Sequence, residues 1–93
     1  MKNPDRHFVS QLEALPNIGK AIAQNLKLIG IEHPQQLIGK DAYELHELLC
    51  VALGKRVDPC MIDVFLSAIT FMEGSEPVPW WSFTDKRKKH LAQ

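Results

Sequence analysis

Four groups of residues in this 93-residue chain combine types and spacings that could do chemistry. The first is Pro16-Asn17-Ile18-Gly19-Lys20, a turn residue, an apolar plug and a glycine ahead of a lysine. Its chemistry would lie in the backbone. N–H groups around Ile18, Gly19 and Lys20 would stand at the positive N-terminal end of a helix and could hold an anion such as a DNA phosphate. Lys20 would add a point charge beside them. The second group is Lys55-Arg56, a basic tip on the turn Gly54-Lys55-Arg56-Val57-Asp58-Pro59. Asp58 would repel phosphate there, and Pro59 has no N–H to offer. The third is His46 with Cys50, four apart on one helix, and Cys60 further on. These are soft metal ligands or a thiol pair in principle, and small core residues in the plainer reading. Cys60, near a helix start, is expected to have a lowered pKa. The fourth is the aromatic set Trp80, Trp81 and Phe83, followed by the basic run Lys86–His90. The aromatics suit stacking on bases or docking a partner. They also suit burial of a tail, with Trp81 and Phe83 sharing one side of an extended segment. The basic run reads as a DNA arm or a solvated terminus.

Catalytic arrangements are lacking. Ser10, Ser67, Ser75 and Ser82 have no nucleophile-elbow context, and no glycine-rich loop has P-loop spacing. Asp41, Glu44, Glu47, Asp58 and Asp63 read as helix-start or solvated charges. The expectation is a protein that is not an enzyme, with no cofactor, no metal and no small-molecule substrate.

The elements that must position these groups follow from apolar spacing and from Pro and Gly punctuation. Asn3-Pro4 reads as the start of a first helix, with Phe8, Leu12 and Leu15 on one face and Pro16-Asn17 ending it. A second helix runs from about Lys20 to Ile29, with Gly30 in the left-handed position past its end. His33-Pro34 to Gly39 is a short connecting helix. Asp41 caps a fourth helix carrying Leu45, Leu48 and Leu49, with Glu44 at capping-box spacing. Asp58-Pro59 opens a fifth, ended by Gly74. No segment alternates with period two, so no strands are expected. The expected fold is all-α: a five-helix domain over residues 1–74, and a Pro/Trp-rich tail with a basic end over residues 75–93, packed on it.

Leu15 to Leu26 resembles a helix-hairpin-helix motif. Ile18 is the plug, Gly19 the second glycine, Ala23 the small residue that lets the helices approach and Leu26 the apolar residue; Asn17 stands where the first glycine is usual. The resemblance widens with Asp41-Ala42-Tyr43-Glu44-Leu45, Leu49-Cys50, Asp58-Pro59-Cys60 and Trp80-Trp81-Ser82-Phe83-Thr84-Asp85. Over roughly residues 11–87 the chain is similar to small bacterial proteins of the pathogenicity-locus or mitomycin-resistance-protein family. That implies a SAM-like helical domain, of the sort seen in the RNA polymerase alpha C-terminal domain, and a DNA-related role by analogy.

Composition sets the outer bounds. Apolar residues make up 45% and charged residues 24%, ordinary for a globular protein. Two cysteines make no disulfide framework, no apolar stretch follows the first basic residues, and no run could span a bilayer. The expected location is the cytoplasm. The formal charge is zero, but it is unevenly spread. Residues 1–40 hold five basic and three acidic groups, residues 41–85 two basic and eight acidic, and residues 86–93 four basic and none acidic. Binding to DNA is therefore expected to be local, modest and largely sequence-independent, through Pro16, Asn17, Ile18, Gly19, Lys20, Lys55 and Arg56. The alternative expectation is a protein-interaction domain using the Trp-rich tail or the acidic helical face.

Overall fold

A helix made of Cys60–Met72 has one charged residue, Asp63, in thirteen, and a segment that apolar must be covered on most sides. It is the centre of the molecule. The computed structural model describes residues 9–92, and within them the chain is all-helical, with no strand. The α-helices are α1 (Lys20–Leu28), α2 (Ala42–Leu53), α3 (Cys60–Met72) and α4 (Thr84–Leu91). Three 3-10 turns, Leu12–Ala14, Pro34–Leu37 and Trp80–Phe83, join or precede them. α2, Pro34–Leu37, Trp80–Phe83 and α4 all pack on α3, while α1 packs on α2 and on Leu12–Ala14.

Two of the five expected helices are shorter structures. The connector is the 3-10 turn Pro34–Leu37, entered from an extended His33. The expected first helix is, within the described residues, the turn Leu12–Ala14; Asn3, Pro4 and Phe8 lie outside them. The cause is visible in spacing. Val9, Leu12, Leu15 and Ile18 recur every third residue and all four are buried. Three is the period of a 3-10 turn, whose side chains at i and i+3 eclipse. Leu15, which precedes Pro16, is held extended at φ −72°, ψ 150°, so no helix continues through it.

The other helices obey local rules. The Asp41 carboxylate accepts from the N–H groups of Tyr43 (2.8 Å) and Glu44 (3.4 Å) at the start of α2. α1, α2 and α3 each stop at a glycine with positive φ, namely Gly30, Gly54 and Gly74. The following N–H reaches back to a carbonyl five residues earlier: Ile31 to Leu26, Lys55 to Cys50 and Ser75 to Thr70.

The C-terminal segment is folded onto this core. Trp80 is half-buried against it, and Trp81 is 62% exposed. The expected pairing of Trp81 with Phe83 on one side is incorrect. The segment is a 3-10 turn rather than extended, so Trp80 and Phe83, three apart, take the inner side. Nor is the basic run uniformly solvated. Arg87 is buried, its Nε 3.0 Å from Oδ1 of the fully buried Asp63. Thr84 Oγ1 donates to the other oxygen of Asp63 at 2.9 Å. The His90 ring stacks on Tyr43 at 3.8 Å between centroids. Hydrogen bonding to Asp63 raises the Arg87 pKa, so the guanidinium stays charged where it is buried.

Candidate functional site

The turn between Leu12–Ala14 and α1 is built from inside outwards. Pro16 and Ile18 are buried, and Asn17 is half-buried with φ +67°. Asparagine is among the few residues other than glycine that adopt this left-handed conformation readily. Its side chain does not stand in front of the helix end. It turns inward, donating from Nδ2 to Ser67 Oγ on α3 (2.7 Å) and to the Val78 carbonyl (2.8 Å). Ser67 also donates to Val78 (3.0 Å), so three polar groups close one triangle beneath the turn. The Ile18 N–H, expected to be free, bonds back to the Leu15 carbonyl at 3.3 Å.

What remains outside is Gly19 and Lys20, both exposed. Gly19 is the N-cap of α1, with ordinary extended backbone (φ −97°, ψ −174°), and no side chain caps the helix. The first intrahelical bond runs from the Ala23 N–H to the Gly19 carbonyl. The N–H groups of Lys20, Ala21 and Ile22 therefore precede the ladder. A Cβ built at Gly19 meets nothing within 4 Å. The position tolerates a larger residue but holds none.

The second turn, between α2 and α3, is finished differently. The Val57 carbonyl lies 2.9 Å from His46 Nε2, and since a carbonyl only accepts, that nitrogen donates. The Val57 N–H points to Cys50 Sγ at 3.4 Å. His46 and Cys50 thus clamp the turn from one face of α2. Asp58 Oδ1 accepts from the Cys60 N–H at 2.8 Å, and this bond holds the Asp58 carboxyl below its usual range. The same carboxylate, through a hydrogen bond with the thiol and helped by burial, pushes the Cys60 pKa up. The direction is opposite to the one expected from the helix start, because the Asp58 carboxylate beside the thiol disfavours the thiolate. Both cysteines are free thiols, and among the described residues no three His, Cys, Asp or Glu side chains are grouped to hold a metal.

Lys55 and Arg56 are exposed on this second turn. No hydrogen bond or ion pair among the described residues ties either of them to Gly19 or Lys20. Sequence reasoning missed the Asp63–Arg87–Thr84 cluster and the inward role of Asn17. Asp63 at the polar start of an otherwise apolar helix was the one available signal for the first.

Among the described residues no helix is long and apolar enough to cross a membrane. No solved structure matches the chain. A curated protein similar to it is "Mitomycin resistance protein McrB" of Streptomyces lavendulae, 41% identical over 83 residues, which span 89% of this chain and 79% of that protein. The family model described as "Pathogenicity locus" matches residues 5–89, taking in both turns, α3 and most of α4. The chain belongs to the pathogenicity-locus family.

Proposed function

We propose that this chain is a non-enzymatic cytoplasmic module that grips the phosphate backbone of duplex DNA, largely independently of sequence. In this reading the two turns are the hairpins of a SAM-like helix-hairpin-helix domain, whose first arm is, within the described residues, a 3-10 turn. The observation that carries it is the bare start of α1. The starts of α2 and α3 are filled by Asp41 and Asp58, whereas α1 presents Gly19, unbonded N–H groups and Lys20. An aspartate at an N-cap is more stabilising than glycine by a few tenths of a kcal/mol. A position that has room for a cap and lacks one suits a ligand that supplies the acceptor, and a phosphate oxygen does so. Contacts of this kind hold backbone and read little sequence. The relative's resistance label names a phenotype and adds no mechanism.

The test is binding to mixed-sequence duplex across a salt titration. Wild type is expected to bind weakly, with affinity falling as salt rises, and Lys20→Glu to weaken it by about tenfold and flatten the salt slope by about one unit. Gly19→Asp is the sharper variant. It is expected to stabilise the fold slightly, by capping α1, while abolishing binding. Binding that is unchanged in Gly19→Asp rejects the reading.

A second reading has its own observation. On α2, Leu48 is 53% and Val51 80% exposed, beside Glu44 and Glu47. Tyr43, Glu44, Glu47 and Leu48 line a shallow hollow of about 390 Å³. An apolar strip edged by acid suits a protein partner with a basic amphipathic helix. Loss of association in Leu48→Asp, with DNA binding intact, is its signature.

A further inference from the structure

Trp81 is a large apolar side chain left 62% exposed on a segment whose neighbours are fastened down. Trp80 beside it is half-buried and meets it edge to face, ring centroids 5.7 Å apart at 84°. The turn Trp80–Phe83 packs on α3, and Thr84 and Arg87 anchor its far end to Asp63. The exposed indole is therefore mounted on a rigid base rather than on a loose tail. Its other end is tied to the first turn, because Asn17 donates directly to the Val78 carbonyl. From Val78 to Trp81 is three residues, no more than about 11 Å even for extended chain.

We propose that Trp81 is a stacking platform for an unpaired base, so that the favoured ligand is a junction between duplex and single strand rather than continuous duplex. The proposal rests on the phosphate-binding reading of Gly19 and Lys20 and adds the class of DNA. In a continuous duplex each base is already stacked on its neighbours and an indole has no face to meet. At an overhang or gap the terminal base has a free face, and stacking on a rigid aromatic is favourable for every base type. Phosphate contact at the turn and stacking at Trp81 would then act together on one strand. The link from Asn17 to Val78 ties the segment that carries Trp81 to the turn that carries Gly19 and Lys20.

The experiment measures the full chain against a covalently closed circular duplex and against the same circle carrying a short single-stranded gap, at one salt concentration. Wild type is expected to prefer the gapped circle by about tenfold. Trp81→Ala is expected to lose that preference while binding the intact circle as before, and Trp81→Phe to retain most of it. Circular dichroism checks that each variant is folded, which the exposure of Trp81 favours. Equal binding of the two DNAs by wild type, or a preference that survives in Trp81→Ala, overturns the proposal and leaves the exposed indole to a protein contact. Failure of the underlying reading is distinguishable. It appears in the intact-circle arm, as equal binding by wild type and Lys20→Glu, and it removes this proposal with it.

Discussion

The two interhelical turns occupy comparable places in the chain and end in opposite electrostatic states. The first takes its positive φ from Asn17, spends its polar side chain inward on Ser67 and Val78, and leaves the helix start behind it open. The second takes its positive φ from Gly54, is clamped from below by His46 and Cys50, and has its helix start closed by Asp58. Lys55 and Arg56 make the second turn the more basic in side chains. In the proposed reading the first is nevertheless the anion site, because N–H groups at a helix end are oriented by the helix itself and long exposed side chains are not. In that reading, counting Lys and Arg would point to the other turn.

The largest expected difference between the turns is in packing. Ile18→Ala removes a buried plug and is expected to cost about 3 kcal/mol, within the range for buried Ile or Leu to Ala. Val57, the half-buried counterpart, is expected to cost about 1 kcal/mol. Urea denaturation of both variants checks the ratio, and equal losses would mean the turns are pinned alike. Next comes Asn17. Asn17→Ala loses both the left-handed preference and the two inward hydrogen bonds, for about 2–3 kcal/mol. Asn17→Gly restores the backbone term and is expected to cost about half as much. A glycine variant as damaged as the alanine one would place the whole effect in the side chain.

The smallest effect concerns the closed helix start. The Asp58 pKa is lowered in the folded protein, mainly by the Cys60 N–H. Its contribution is therefore present above the ordinary carboxylate range and is lost as pH falls through the lowered folded value. Thermal melts of wild type and Asp58→Ala are expected to differ most near neutral pH and to converge in acid. The same variant gains little anion affinity, because Pro59 leaves that helix start without one of its N–H groups.

The local parts of this architecture were legible. The start of α1 at Lys20, the capping role of Asp41 and the glycine ends at Gly30, Gly54 and Gly74 are written in neighbouring residues, and the structure has each of them. The Leu12–Ala14 turn was not, because Leu12 and Leu15 fit both a helix face with Phe8 and a three-residue period with Val9 and Ile18. Choosing between these periods needs the tertiary surface. At the candidate site, the positive φ of the turn could be expected, but the Asn17 partners lie 50 and 61 residues away. The Asp63–Arg87 pair is likewise non-local. From the sequence, one residue is a helix-start acid and the other sits within a basic run.

That buried pair also sets an order of events during synthesis. Asp63 leaves the ribosome 24 residues before Arg87. Until the guanidinium arrives, α3 cannot bury its carboxylate without leaving an uncompensated charge in the interior. The central helix can form as a helix and take up α2, with α1 packed on α2, but the last face of the core has to wait. Nascent chains ending before Arg87 would be held in an incompletely closed state with apolar surface still wet, the condition in which a chain is most open to chaperones and to proteases.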